Sequence, residues 1–228
     1  MCFFSPDNSI SALPNYAIPL SMDLYCERTS LSLFDEPVNI LTNLAFLVAG
    51  YYVFREFIKT NTKKKYLIFP ILITFIGLGS FAFHTLPNRL TLLSDVIPIF
   101  LFSIALIFFI QKDIIQTNLY QSIAWVILFL TLSFLVAPNI DLNLNGSEGY
   151  LPNYFFLLGY VIYFYFKKDV SFKNMMMAFI IFNISLFFRS VDNLICAQFN
   201  LGTHFLWHIF NAILLSYLAF VFKNKEKL

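Results

Sequence analysis

The sequence predicts an all-α integral membrane protein with seven transmembrane helices. Hydrophobic residues make up 59% of its 228 residues and charged residues only 12%, whereas an ordinary soluble domain carries about 25% charged residues. A soluble protein of this length would leave roughly a third of its surface in water, so it could not hide this much apolar surface. This excludes a soluble enzyme and a disordered chain. With 15 basic and 13 acidic residues there is also no large net charge to attract nucleic acid.

Seven apolar segments are separated by short polar joints, and each approaches the about 20 residues that a helix needs to cross the hydrocarbon core. They cover residues 37–57, 66–86, 92–111, 119–137, 151–166, 174–193 and 204–222. The alternating hydrophobicity of a membrane β-barrel is absent from the sequence. There is no internal repeat and no linker. We therefore expect one seven-helix domain over residues 1–228, with residues 1–36 as an extracytoplasmic N-terminal segment.

The distribution of lysine and arginine predicts the orientation, because these residues collect in cytoplasmic joints. One side of the predicted bundle holds twelve of them: Arg55, Lys59, Lys63, Lys64, Lys65, Lys112, Lys167, Lys168, Lys173, Lys223, Lys225 and Lys227. The other side holds Arg28, Arg89 and Arg189. We therefore expect the N-terminus outside and the C-terminus in the cytoplasm. Residues 1–30 lack the basic start and apolar run of a signal peptide, so we expect the first helix to direct insertion.

Ionisable residues of the apolar segments collect near the outer side of the predicted bundle. Such residues are costly in a membrane, so each is a functional candidate. They are His84 at the end of the second segment, Asp95 near the start of the third, Arg189 and Asp192 at the end of the sixth, and His204 and His208 at the start of the seventh. All three histidines of the chain lie in this layer.

The histidines are spaced as metal ligands. His204 and His208 are four residues apart and share one face of a helix, so both rings can reach one ion. With His84 they would form a three-histidine zinc site whose fourth position is open for water, as in catalytic zinc sites. Zinc lowers the pKa of that water to about 7. Haem binding and a chance pairing are the alternatives, and His84 alone would more simply be an interfacial hydrogen-bonding residue.

The other polar residues of the layer have two interpretations each. Ser80 lies four residues before His84 on the same helix face and either takes part in catalysis or bonds back to its own helix. Asp95 is either catalytic or a cap for the third helix. Arg189 and Asp192 are three residues apart and are most simply an intrahelical ion pair.

Four short blocks resemble the alkaline ceramidase family, part of a superfamily of seven-helix hydrolases that includes the progestin and adipoQ receptors. The blocks are Tyr25-Cys26-Glu27; Glu36-Pro37-Val38-Asn39 with Thr42-Asn43; Gly79-Ser80-Phe81-Ala82-Phe83-His84 followed by Asp95; and Asp192 and Cys196 leading into Gly202-Thr203-His204-Phe205-Leu206-Trp207-His208. They follow the family's order over nearly the whole chain. The combination of serine, aspartate and three histidines is typical of the superfamily, and the first two blocks indicate the ceramidase branch.

The resemblance implies a zinc-dependent amidase that cleaves ceramide or a ceramide-like acyl amide into a fatty acid and a sphingoid base. His84, His204 and His208 would bind zinc. Ser80 would stabilise the oxyanion, and Asp95 would take a proton from the attacking water and pass it to the leaving amine. The scissile bond of such a lipid lies near the headgroup, which is the depth expected for the histidines. The expected partners are therefore a lipid substrate and the bilayer, with no nucleic acid.

The resemblance also implies a calcium site and a disulfide in the N-terminal region. The candidate calcium ligands are Asp23, Glu27, Glu36 and Asn39, whose oxygen atoms suit that ion. The alternative from the residues themselves is a solvated acidic segment that caps the first helix. The disulfide would join Cys26 and Cys196, both on the predicted outer side, where an oxidising environment permits it.

Two rival functions and two locations follow from the same sequence. The first rival is a seven-helix receptor or sensor of the adipoQ-receptor type with a structural or vestigial zinc site. The second is a transporter or haem protein, although the paired Gly/Pro breaks typical of transporters are absent. The compact chain without tails predicts a bacterial inner membrane protein with its site near the periplasmic side, and the alternative is a eukaryotic ER or Golgi membrane with the site facing the lumen.

Overall fold

The computed structural model describes residues 24–30, 32–140 and 142–223, and within them it contains helices and no strand. The helices are α1 (Pro37–Lys59), α2 (Lys64–Thr85), α3 (Arg89–Ile114), α4 (Leu119–Asn139), α5 (Leu151–Lys167), α6 (Ser171–Val191) and α7 (His204–Phe220). Each predicted apolar segment falls on one of them. The all-helical class is therefore confirmed.

Five of the helices are long and apolar enough to cross a membrane, namely α1, α2, α3, α4 and α6. Helix α7 is apolar but has 17 residues, as does α5. Many large apolar side chains on the outside of the bundle are exposed, among them Leu90, Phe166, Leu135 and Val48. A surface of this kind needs lipid around it. The chain is thus a multi-pass integral membrane protein.

A polar cap sets one helix start that hydropathy alone places differently. Helix α3 begins at Arg89, three residues before the predicted start, because the Asn88 side chain accepts hydrogen bonds from the backbone N–H groups of Leu90 (2.9 Å) and Thr91 (3.1 Å). The Thr91 hydroxyl in turn accepts from the Asn88 N–H (3.0 Å), which completes a capping box. Asp95 therefore lies in the second turn, and its interpretation as the cap of this helix is wrong.

Helix α2 packs closely on α1 and α3, and α7 packs on α6 and α1. Glycine permits the closest of these approaches: a Cβ on Gly79 would collide with the backbone of Ser94 in α3. A Cβ on Gly77 would lie 2.8 Å from the Cβ of Phe46 in α1. The end of α2 is therefore held tightly between α1 and α3, and this brings Ser80 and His84 to the residues described next.

Candidate active site

The three histidines meet at one point, between the end of α2 and the first turns of α7. His84, His204 and His208 are all almost completely buried, and each offers a ligand atom within 4.8 Å of the others. Among the described residues, one ring nitrogen of each has no hydrogen-bond partner: Nε2 of His84, Nδ1 of His204 and Nε2 of His208. Buried polar atoms are almost always paired, so three unpaired nitrogens at one point indicate a missing common partner.

Helix α1 and the residue before it hold two of the rings from behind. Nδ1 of His84 lies 2.6 Å from the Glu36 carboxylate, and Nδ1 of His208 lies 2.9 Å from the Thr42 hydroxyl. A carboxylate can only accept, so the His84 Nδ1 carries the proton and Nε2 keeps its lone pair. The Thr42 hydroxyl donates to the Val38 carbonyl (2.9 Å), so its oxygen is free to accept from His208.

These contacts of the ring nitrogens show that the three histidines fit a metal ion. Metal-binding histidines nearly always donate their second nitrogen to a carboxylate, a carbonyl or another acceptor, which fixes the tautomer and the ring orientation. The ring of His204 is held differently, by stacking on Tyr25 with the two ring centroids 3.6 Å apart. The three histidines could therefore hold a metal ion.

Ser80 and Asp95 face each other where α2 packs on α3. Their side chains interact, Ser80 is buried and Asp95 is half-buried. The charge of Asp95 is also within electrostatic reach of His84 and Arg189. The structure thus brings the predicted serine and aspartate together beside the histidines, and the close contact at Gly79 makes this possible.

Glu36 is the centre of a buried network on the other side of His84. Its carboxylate accepts from Arg28 Nε (2.6 Å) and from the Asn39 side-chain amide (3.0 Å) as well as from His84. Burial alone would raise the pKa of the Glu36 carboxyl, but its hydrogen bond to His84 and its other contacts outweigh burial and hold this pKa below its ordinary value. Glu36 is therefore a charged partner for the His84 ring.

Arg28 fills the space among several oxygen atoms of the N-terminal segment. Besides Glu36, its guanidinium donates to the backbone carbonyls of His84 (2.9 Å), Ser30 (3.2 Å) and Ser32 (3.3 Å). The whole residue is only 4% exposed. One cation of the chain itself thus ties the segment before α1 to the end of α2.

Three of the predicted calcium ligands, Glu27, Glu36 and Asn39, lie close together, and both carboxylates have other partners, whereas Oδ1 of Asn39 has none among the described residues. Both oxygens of Glu27 accept backbone N–H groups at the start of α1, from Val38 (2.7 Å) and Asn39 (2.8 Å). Burial raises the pKa of the Glu27 carboxyl, although these hydrogen bonds oppose the shift. Glu27 thus caps α1, as the alternative interpretation expected, but it is buried rather than solvated. Asp23 lies outside the described residues, and the calcium site stays a prediction.

The ceramidase family model matches residues 21–225, nearly the whole chain. The chain belongs to the ceramidase family. The resemblance seen in the four sequence blocks is therefore confirmed, and membership of the ceramidase family implies an amidohydrolase with a lipid substrate. Among curated proteins, none matches the chain significantly.

Asp192 has a role in this member of the ceramidase family that spacing along the sequence does not indicate. Its carboxylate accepts backbone N–H groups from Thr203 (2.6 Å) and His204 (2.8 Å) at the start of α7, and from Cys26 (3.0 Å). Gly202, with φ of +60°, lies against the same carboxylate, and a Cβ there would collide with it. Asp192 therefore caps α7 and fixes the start of this helix at His204. The glycine next to a threonine and a histidine is the signal that could have predicted a cap here.

A disulfide fastens the N-terminal segment to the same place. Cys26 and Cys196 are bonded to each other, which fits the predicted pairing. Together with the contact between Asp192 and the Cys26 N–H, it holds Tyr25 over the His204 ring. The first two sequence blocks of the ceramidase family thus line the histidine cluster from the N-terminal side.

A narrow apolar cavity lies beside the histidine cluster, between α3, α5, α6 and α7. Its volume is about 60 Å³, and most of its lining is aliphatic or aromatic. Helix α7 contributes Trp207 and Asn211, which flank His208 along the chain. The rings of Trp207 and Tyr150 have their centroids 5.0 Å apart. The guanidinium carbon of Arg189 lies 5.7 Å from the centroid of the Trp207 ring.

Proposed function

We propose that this member of the ceramidase family is a zinc-dependent hydrolase that cleaves the amide bond of ceramide or a ceramide-like acyl amide. The observation that carries the proposal is the buried triangle of unpaired histidine nitrogens, with Ser80 and Asp95 beside it. Nitrogen ligands in this number suit zinc. Zinc bound there would polarise the acyl carbonyl and lower the pKa of a water molecule.

The residues of the chain have separate tasks in this proposal. The Ser80 hydroxyl donates to the oxygen that becomes negative when water attacks the acyl carbon. Asp95 takes a proton from that water and delivers it to the amine nitrogen as the carbon–nitrogen bond breaks. The products are a fatty acid and a sphingoid base or related amine. Glu36 and Thr42 hold His84 and His208 in the orientation that leaves Nε2 unpaired.

The proposal includes the placement in the membrane. All seven helices cross the bilayer as one domain over residues 1–228, with the N-terminus outside and the C-terminus in the cytoplasm. The excess of lysine and arginine in the joints on one side supports this orientation. The histidine cluster then lies near the extracytoplasmic surface, on the periplasmic side of a bacterial inner membrane. A reporter that works only in the cytoplasm is expected to be active when fused to the C-terminus, and one that works only outside the cytoplasm is expected to be inactive there.

Replacing Asp95 by Asn tests the enzyme against a receptor that merely binds metal. We expect the rate of fatty-acid release from a panel of ceramides to fall by about 10²–10⁴-fold, since general acid–base catalysis contributes that much. Zinc content, measured by elemental analysis, is expected to stay at one ion per chain because the ligands are untouched. Asp113→Asn, at the opposite end of α3, is the matched control and should retain activity. Wild-type protein that releases no fatty acid from any ceramide or acyl amide would refute the proposal.

A further inference from the structure

The amide of Asn211 lines the cavity beside the histidines and has no partner there. Asn211 is 4% exposed, and neither of its side-chain polar atoms makes a hydrogen bond within the described part of the chain. It follows His204 by seven residues and His208 by three, so it lies on the same face of α7. Along the helix axis it is about 4.5 Å beyond His208, at 1.5 Å per residue.

Two other polar side chains that line the same cavity, Asn153 and Tyr160, have polar neighbours. The Asn153 amide donates to the Ser103 hydroxyl at 2.6 Å, and the Gln111 amide lies 3.5 Å from the Tyr160 hydroxyl. An amide left unpaired among aliphatic and aromatic side chains costs free energy. Leu214, Leu215 and Leu218 show that α7 otherwise presents leucine to this cavity. The unpaired amide of Asn211 therefore indicates a polar ligand in the cavity.

We propose that Asn211 binds a hydroxyl group of the lipid substrate and so determines which lipids are cleaved. This rests on the proposed function, in which the scissile amide lies at the histidines. A hydrocarbon chain that runs from there into the cavity passes Asn211 within a few bonds. The amide both donates and accepts, as a hydroxyl does. A neutral polar group is favoured, because no charged side chain lines the cavity.

Two parts of a ceramide-like lipid can carry such a hydroxyl. One is the sphingoid base, which is attached to the amide nitrogen, and the other is the acyl chain, which can be hydroxylated next to the carbonyl. Both present the same chemistry to Asn211. Asn211 would bind the hydroxyl of whichever of these two chains occupies the cavity.

The test compares two lipid pairs in wild-type protein and in Asn211→Leu. One pair differs only in the hydroxyl of the base beside the amide, and the other only in the hydroxyl of the acyl chain. We expect the wild-type protein to prefer the hydroxylated member of one pair by about tenfold in kcat/KM, the worth of one hydrogen bond. In Asn211→Leu that preference should fall to about one, through loss of activity on the hydroxylated lipid alone. Which pair responds identifies the chain in the cavity.

Controls separate this inference from the proposed function. Asn183→Leu changes an exposed asparagine on α6 and should keep the wild-type preference. Asn211→Ala serves if the leucine variant does not fold. Binding is measured as well, as the rise in melting temperature that each lipid produces, so a protein that cleaves no lipid still tests Asn211. Equal preference for both members of both pairs, or a preference that survives in Asn211→Leu and Asn211→Ala, would overturn the inference.

Discussion

Two buried polar clusters lie side by side at one end of the helix bundle, and they differ in whether the groups at their centres, the histidine rings and the Glu36 carboxylate, are paired. At the edge of the second cluster, Oδ1 of Asn39 also has no partner among the described residues. In the cluster formed by His84, His204 and His208, one nitrogen of each ring has no partner within the described residues. In the cluster around Glu36, the carboxylate is bonded to His84, Asn39 and Arg28. Both clusters are buried, so burial does not show which one binds a ligand. An unpaired nitrogen or oxygen at the centre of a cluster does, because buried polar atoms are almost always paired. The histidine cluster can take a ligand, whereas the Glu36 cluster already has its cation.

The largest effect is expected at the histidine cluster. His208→Ala removes one of three ligands, and two histidines on different helices hold zinc too weakly for catalysis. We expect zinc to be lost and fatty-acid release to fall to background. Elemental analysis and activity on ceramide measure both.

Removing the metal from wild-type protein gives the control for this prediction. A chelator should abolish activity, and added zinc should restore it in the wild type but not in His208→Ala. Activity that survives in the stripped protein would show that the open cluster is not the reactive one, and the distinction between the two clusters would fail.

The next effect concerns the contact that brings Ser80 and Asp95 together. Gly79→Ala places a Cβ against the Ser94 backbone, so α2 and α3 must move apart. A displacement of about 1 Å at a catalytic group can lower the rate by about 10²-fold, and we expect a loss of that size in kcat. Gly159→Ala is the matched control, because a Cβ there meets nothing within 4 Å. Similar activity in both variants would contradict the role of Gly79.

A smaller effect, on metal affinity, is expected when Glu36 changes and the three histidine ligands are kept. Glu36→Gln keeps an acceptor for His84 but removes the charge that faces this ring and Arg28. Changes of this kind lower metal affinity by about 10–100-fold, which a competition titration against a chelator of known affinity would measure. Glu56→Gln, which alters a carboxylate paired with Lys223 at the end of α7, should leave the affinity unchanged. Unchanged affinity in Glu36→Gln would mean that the two clusters are not coupled.

Hydropathy and histidine spacing predicted the parts of the fold and site that depend on near neighbours along the chain. The seven helices follow from runs of apolar residues, and the pairing of His204 with His208 follows from their separation of four. The contacts of the Asp192 carboxylate with the Cys26 N–H and of the Arg28 guanidinium with the His84 carbonyl join residues that are distant in sequence. Such contacts depend on how the helices pack, and a helical period contains no information about them. The resemblance predicts the acidic N-terminal residues as calcium ligands, but the sequence does not predict that Arg28 lies buried between their carboxylates and the end of α2.

The smallest effect distinguishes the two interpretations of that N-terminal segment. Arg28 already donates to the Glu36 carboxylate, which is one of the predicted calcium ligands, and to three backbone carbonyls, and calcium binds oxygen atoms of both kinds. We therefore expect calcium added to zinc-loaded protein, up to about 1 mM, the range in which extracellular calcium modules bind, to leave activity and melting temperature unchanged. Zinc stays at fixed concentration throughout, so that a chelator is not needed. A rise in either quantity that saturates with calcium would place the ion in the segment and show that the Glu36 cluster, too, has an open position. Because Arg28 and calcium would compete for the same oxygens, Arg28→Ala should respond to calcium more strongly than the wild type if the guanidinium now fills that space.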